Sequence, residues 1–173
     1  MIIYTMGHSN RSIEDFLEIL KEYKITKVAD VRSVPKSRHN PQYNQDEIKQ
    51  TLRKNGVKYE YFKGLGGFRP LAKNDINAGW ENKSFKGYAD YMQTDEFLEN
   101  LDKLIQAAKK DTIVVMCAEV LPWRCHRSLI GDALTVRGYC VEDIISLKSY
   151  KVHELTSFAK VDGLNITYPP HKN

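Results

Sequence analysis

Residues 117–127 hold a cysteine, a carboxylate and several cationic side chains in the order Cys117, Glu119, Arg124, His126 and Arg127. An apolar, β-branched run (Ile113, Val114, Val115) leads into the cysteine, Pro122 interrupts the chain, and a helical pattern starts at Ser128. The thiol therefore falls where a buried strand ends, with a helix N-terminus close behind. Cationic neighbours and helix N-termini lower a thiol's pKa and attract anions. Cys117 reads as a nucleophile or redox thiol, against the plain alternative of a small buried hydrophobe. His126 and Glu119 are candidate proton-transfer groups. Arg124 and Arg127 can grip a phosphate or carboxylate in bidentate fashion, or form surface ion pairs. Cys125 and Cys140 read as packing residues. The spacing Cys117-x7-Cys125-His126 lacks the close ligand pairs of structural zinc sites, so no metal is assigned.

Other segments carry similar chemistry. His8, Ser9 and Asn10 follow an apolar run from Ile2 to Met6. Asp30 sits inside another (Val28, Ala29, Val31), where a carboxylate needs a partner; Arg32 or His8 can serve, which makes Asp30 a structural brace. Arg32, Ser33, Lys36 and Arg38 come next, and Gly64, Gly66 and Gly67 follow a third run. The glycine segment can offer backbone amides to an anion, although it lacks the spacing of the known phosphate-binding fingerprints.

The elements that must position these residues alternate. Strands are expected at 2–6, 27–31, 57–62, 112–116 and 141–145. Helices are expected from a Ser12 cap through Tyr23, from an Asn44/Glu47 capping box through Asn55, from Thr94, and over 128–136. Gly56 and Gly138 stand where helices close. Residues 68–86 show no periodicity, which suggests a functional loop. The tail from Lys148 carries a weak helical hint near Leu155 and Phe158 and a last strand over 164–168. Such alternation implies an α/β, Rossmann-like three-layer sandwich with a mostly parallel sheet of about five strands. In a parallel sheet the C-terminal strand ends share one edge, where ligands bind. His8, Ser9, Arg32, Ser33, Arg38, Gly66, Gly67, Arg124 and Arg127 are thus expected to form one anion-binding cleft around Cys117.

The chain has 173 residues, a net charge of +4, 42% hydrophobic and 28% charged residues, so one domain over 1–173 is expected. Three cysteines, an odd number, argue against a disulfide framework. No apolar run reaches the ~20 residues of a membrane span, and the N-terminus lacks a signal pattern. A cytoplasmic, reduced protein is expected.

Several motifs in fixed order resemble the domain of unknown function 488 family. They are Thr5-Met-Gly-His-Ser9, Asp30-Val-Arg-Ser-Val-Pro35 with Ser37-Arg38 and Asn40-Pro41, Leu65-Gly-Gly67, Gly87-Tyr88-Ala89 with Tyr91-Met92, and Cys117-Ala-Glu119 with Pro122 and Cys125-His-Arg127. The likeness runs over residues 1–145, leaving the tail 148–173 less constrained, and implies an α/β domain with these residues in one site. The Cys117 loop is also similar to the phosphate loop of cysteine phosphatases and rhodaneses. It departs from the phosphatase spacing: six residues separate Cys117 from Arg124, Trp123 holds the usual arginine position, and Met116 that of the preceding histidine.

The residues support an enzyme acting on an anionic small molecule or nucleotide, with Cys117 and His126 as its chemistry. Two alternatives stand beside it. One is a nucleic-acid module with Lys36, Arg38, Arg53, Lys54, Lys63 and Arg69 along the backbone and Tyr43, Tyr59, Tyr61 and Phe68 for stacking. The other is a sensor that binds without turnover. Cofactor and oligomeric state are not specified by the sequence.

Overall fold

The structure is a computed structural model and describes residues 1–171. Its frame is a mixed sheet with helices on both faces. In chain order the elements are β1 (Ile2–Gly7), α1 (Ile13–Glu22), β2 (Lys27–Asp30), α2 (Gln45–Lys54), β3 (Lys58–Tyr61), α3 (Lys83–Tyr91), α4 (Asp95–Lys110), β4 (Ile113–Cys117), α5 (Arg127–Val136), β5 (Cys140–Ser146), β6 (Ser149–Val152), β7 (Lys160–Asp162) and β8 (Asn165–Thr167). Short 3₁₀ turns occupy Pro41–Tyr43, Lys63–Leu65 and Pro122–Arg124. The six-stranded sheet has the order β3-β2-β4-β1-β5-β6, and β7 pairs with β8 in a separate hairpin. The first five of these strands run parallel, while β6 is antiparallel to β5. The architecture is a Rossmann-like α/β sandwich with one strand beyond the expected five.

Strand alternation assigns the layers. Val28, Val114, Met116 and Ile144 pack under α1 and α2 with Phe16, Leu20, Ile48 and Leu52. Ala29, Val115, Cys117 and Val141 face α3–α5 with Tyr88, Leu101, Leu104 and Leu129. β4 lies at the centre and is buried at every position, as its unbroken apolar sequence demands. The same two-residue period sends Asp30 towards the α1/α2 layer and Cys117 towards the α3–α5 layer.

Local chemistry accounts for most boundaries. Ser12 Oγ accepts from the Asp15 amide and Thr94 Oγ1 from that of Phe97, capping α1 and α4. Gly56 follows α2 with φ +73°, in the left-handed region that glycine enters freely. Elsewhere the structure differs from the sequence reading. Asn44 does not cap α2: its Oδ1 accepts from the Ser37 amide (2.7 Å) and so ties down the loop after β2. Residues 83–91 form α3 rather than extending the loop, with Asn82 as the cap. Its inner face carries Gly87, Tyr88, Ala89 and Tyr91, a short run whose aromatics blur the helical period. Around Leu155 and Phe158 there is no helix, and the tail adds strands instead.

Candidate functional site

The site begins with the buried carboxylate of β2. Arg32 folds back on Asp30, donating from Nε to Oδ1 (2.9 Å) and from Nη2 to Oδ2 (2.7 Å). Tyr59 on β3 also donates to Oδ2 (2.6 Å). The pair leaves Arg32 Nη1 facing His8 Nε2 at 3.4 Å. His8 donates from Nδ1 to the Ser9 carbonyl (2.8 Å) and stacks on Tyr43 with centroids 4.2 Å apart. Burial lowers its pKa to about 4, and Arg32 pushes the same way. His8 is therefore a neutral acceptor that orients Arg32.

Across the sheet, Cys117 ends β4. Gly7 of β1 pairs with it, and the loop after β4 returns so closely over Gly7 that a Cβ there would overlap the Glu119 carbonyl. The first residue of α5, Arg127, reaches under this loop and is completely buried. Its guanidinium donates to Thr5 Oγ1 (2.8 Å) and to the carbonyls of Glu119 (2.8 Å) and Val120 (2.5 Å). All are neutral acceptors, and Nε has none among the described residues. A buried guanidinium without a carboxylate needs a counter-charge. The Arg127 charge acts on the neighbouring Cys117 sulfur, whose thiol donates to the Glu119 carbonyl (3.3 Å). Burial pushes the Cys117 pKa up, but the Cys125 hydrogen bond, the Arg127 charge and the Glu119 backbone outweigh it and bring it down to about 7. Cys125 moves upward, because of the neighbouring Cys117 and its own burial.

His126 stands beside Cys125. Its Nε2 donates to the Val31 carbonyl (3.1 Å), which leaves Nδ1 facing Cys125 Sγ at 3.5 Å. Burial lowers its pKa to about 4 against the opposing pull of the Val31 and Leu65 carbonyls. It is a neutral base at physiological pH.

These groups border a cavity of about 310 Å³ at the C-terminal edge of the sheet. Cys117, Cys125, His126, Glu119, Arg124, Arg32, Ser33 and Gly67 line it, with Lys36, Val34, Phe68, Ser84 and Phe85 completing the walls. Arg124 and Lys36 are exposed cations at its mouth. Glu119 Oε1 accepts from the Leu121 amide (3.3 Å) and stays at the rim. Ser33 Oγ accepts from the Phe68 amide (2.9 Å), fixing the backbone below an 80% exposed ring.

Other anticipated residues lie elsewhere. Arg127 faces the sulfur and the loop carbonyls, so it is not a free anion clamp. Arg38 is exposed on the loop after β2 and does not line this cavity, and Gly66 borders an adjacent one. His8 lies behind Arg32, and Ser9 Oγ turns to Asn10. Cys125 is not a helix or sheet residue but part of the loop against Cys117. The tyrosines expected to stack nucleic-acid bases turn their hydroxyls inward: Tyr43 to the Arg11 carbonyl, Tyr59 to Asp30, and Tyr61 to the Ser33 carbonyl.

A buried polar chain behind the site escaped the sequence reading. Thr5, which holds Arg127, donates to Asp143 on β5. His153 bridges Asp143 (3.5 Å) and Asp132 of α5 (2.8 Å). Asp132 also accepts from the hydroxyls of Thr156 (2.7 Å) and Tyr168 (2.7 Å). Burial alone would lower the His153 pKa, but the two carboxylates raise it to about 9. The signal was present in the sequence: Asp143 interrupts an apolar strand just as Asp30 does.

Comparison with known proteins follows from this geometry. Residues 12–134 match the family described as "Domain of unknown function DUF488". The chain belongs to that family. No curated protein and no solved structure matches it. The matched DUF488 segment contains Asp30, Arg32, Cys117, Cys125, His126 and Arg127, and no helix among its described residues is long and apolar enough to cross a membrane.

Proposed function

We propose that this chain is a thiol enzyme acting on a small anionic substrate, with Cys117 as the nucleophile. The observation that carries the reading is Arg127, a buried guanidinium whose hydrogen bonds among the described residues go to neutral oxygens beside the Cys117 sulfur. A thiolate is the counter-charge that such a group requires. Arg124, Lys36 and Arg32 line the cavity and supply positive potential for the substrate's anionic group, while Val34, Phe68 and Phe85 form apolar parts of its wall. Cys117 attacks the electrophilic atom held over it. His126 is the adjacent neutral imidazole that can accept a hydrogen bond from Cys125 or from the bound substrate, and Glu119 is the rim carboxylate that exchanges protons with the substrate.

The test is alkylation of the intact protein with iodoacetamide, read peptide by peptide. At pH 7 a thiol of pKa about 7 is roughly half ionised, against about 3% for an ordinary thiol, but its lower intrinsic nucleophilicity returns much of that gain. The raw rate advantage over exposed Cys140 is therefore only a few-fold, and protection is the sharper readout. Inorganic phosphate in the millimolar range should slow labelling of Cys117 several-fold and leave Cys140 unchanged. Equal labelling of both with and without phosphate contradicts the proposal.

A further inference from the structure

Cys125 is more than a neighbour. It comes from the turn before α5, its sulfur faces His126 Nδ1, and its side chain borders the same solvent-connected cavity as that of Cys117. Its extended backbone (φ −136°, ψ 147°) keeps it outside the helix, so rotation of its side chain does not disturb α5. His126 Nδ1 lies 3.5 Å from its sulfur and holds the thiol at the cavity wall. We propose that Cys117 and Cys125 form a dithiol redox centre that reduces hydroperoxides, with Cys117 as the attacking and Cys125 as the resolving thiol. The proposal rests on the reading of Cys117 as the nucleophile and adds a second class of reactant.

The chemistry balances with a hydroperoxide, ROOH, as the oxidant. The Cys117 thiolate attacks the terminal oxygen, the O–O bond breaks, and Cys117 becomes a sulfenic acid while ROH leaves after taking up a proton. Cys125 attacks the Cys117 sulfur and its proton passes to the departing hydroxide; the S–O bond breaks, water leaves, and the disulfide Cys117–Cys125 forms. A small dithiol reductant restores both thiols by exchange and is itself oxidised to a disulfide. Arg127 favours the first step, since its charge stabilises the attacking thiolate. The third thiol cannot substitute for Cys125. Cys140 pairs with Ile2 at one end of β1 and Cys117 with Gly7 at the other, which separates them by roughly 16 Å at the usual strand rise.

The full chain is treated with one equivalent of hydrogen peroxide and its thiols are mapped by mass spectrometry. The expected product has lost two hydrogens, carries a Cys117–Cys125 disulfide, keeps Cys140 free, and returns to the starting mass with dithiothreitol. Cys125→Ser should stop at a Cys117 sulfenic acid that dimedone traps, and excess peroxide should carry it irreversibly to the sulfinic acid. Cys117→Ser should consume peroxide at least tenfold more slowly. A wild-type sulfenic acid that persists beside a free Cys125, or a disulfide through Cys140, overturns the proposal. Failure of peroxide to oxidise a Cys117 that iodoacetamide labels with phosphate protection removes the redox proposal alone. Failure of both reagents removes the nucleophile reading as well.

Discussion

Arg127 decides the chemistry of this site at the scale of single residues. Its guanidinium is buried and braced by Thr5 and two carbonyls, and in the proposed chemistry the Cys117 thiolate is its counter-charge. Arg127→Met keeps the bulk and removes the charge, so the Cys117 thiol should climb by at least one pH unit, read from the pH dependence of thiolate absorbance in the ultraviolet. Arg127→Lys retains a cation and should hold the midpoint near the wild-type value. If both variants titrate like the wild type, Arg127 does not set the thiol. Cys117 was legible in the sequence because an apolar strand visibly ends on it. The direction of Arg127 was not, since it depends on where the first turn of α5 points, and two arginines three residues apart look equivalent in a string. Cys125 was misread for the same reason: its neighbours suggest a helix, while the 3₁₀ turn after Pro122 leaves it in a loop.

At the scale of elements, the close return of the Cys117 loop over β1 and the anchoring of the tail on α5 hold the site in place. Gly7→Ala would drive a methyl group into the Glu119 carbonyl. It should cost about 1–3 kcal/mol in urea unfolding and slow Cys117 alkylation by shifting the loop. Tyr168→Phe removes the hydroxyl from buried Asp132 and should cost about 1.5–3 kcal/mol, with faster amide exchange in β7 and β8. An unchanged unfolding midpoint in either variant contradicts these roles. The parallel strands and α1, α4 and α5 were legible because length, apolar period and caps agree. The antiparallel β6 was not: its four residues are all exposed, and the alternation of Tyr150 and Val152 with Ser149 and Lys151 is too short to mark a strand. The Asn44 capping box failed because a loop amide three-dimensionally close to Asn44, that of Ser37, competes for the same oxygen.

At the scale of the whole molecule, the titrations oppose one another. His8 and His126 are held near 4 against an ordinary 6.5, so the unfolded chain binds their protons first. Stability should therefore fall as pH drops from 6.5 towards 4. His153, raised to about 9, contributes stability that is complete below 6.5 and lost as pH rises through 9. Cys117, lowered from 9 to about 7, contributes stability present above 9 and lost as pH falls through 7. Between 7 and 9 these two offset each other, and the urea midpoint of the wild type should be nearly flat. Cys117→Ser should unmask a decline with rising pH over that window, and His153→Gln a rise; parallel profiles in all three proteins would refute the assignment. The most direct measurement is a thiolate titration of the wild type against Cys117→Ser, followed by ultraviolet absorbance. The expected difference curve shows one ionisation near pH 7. A midpoint at or above the ordinary thiol value of about 8.5 would contradict it, because the buried guanidinium would then have no thiolate to face.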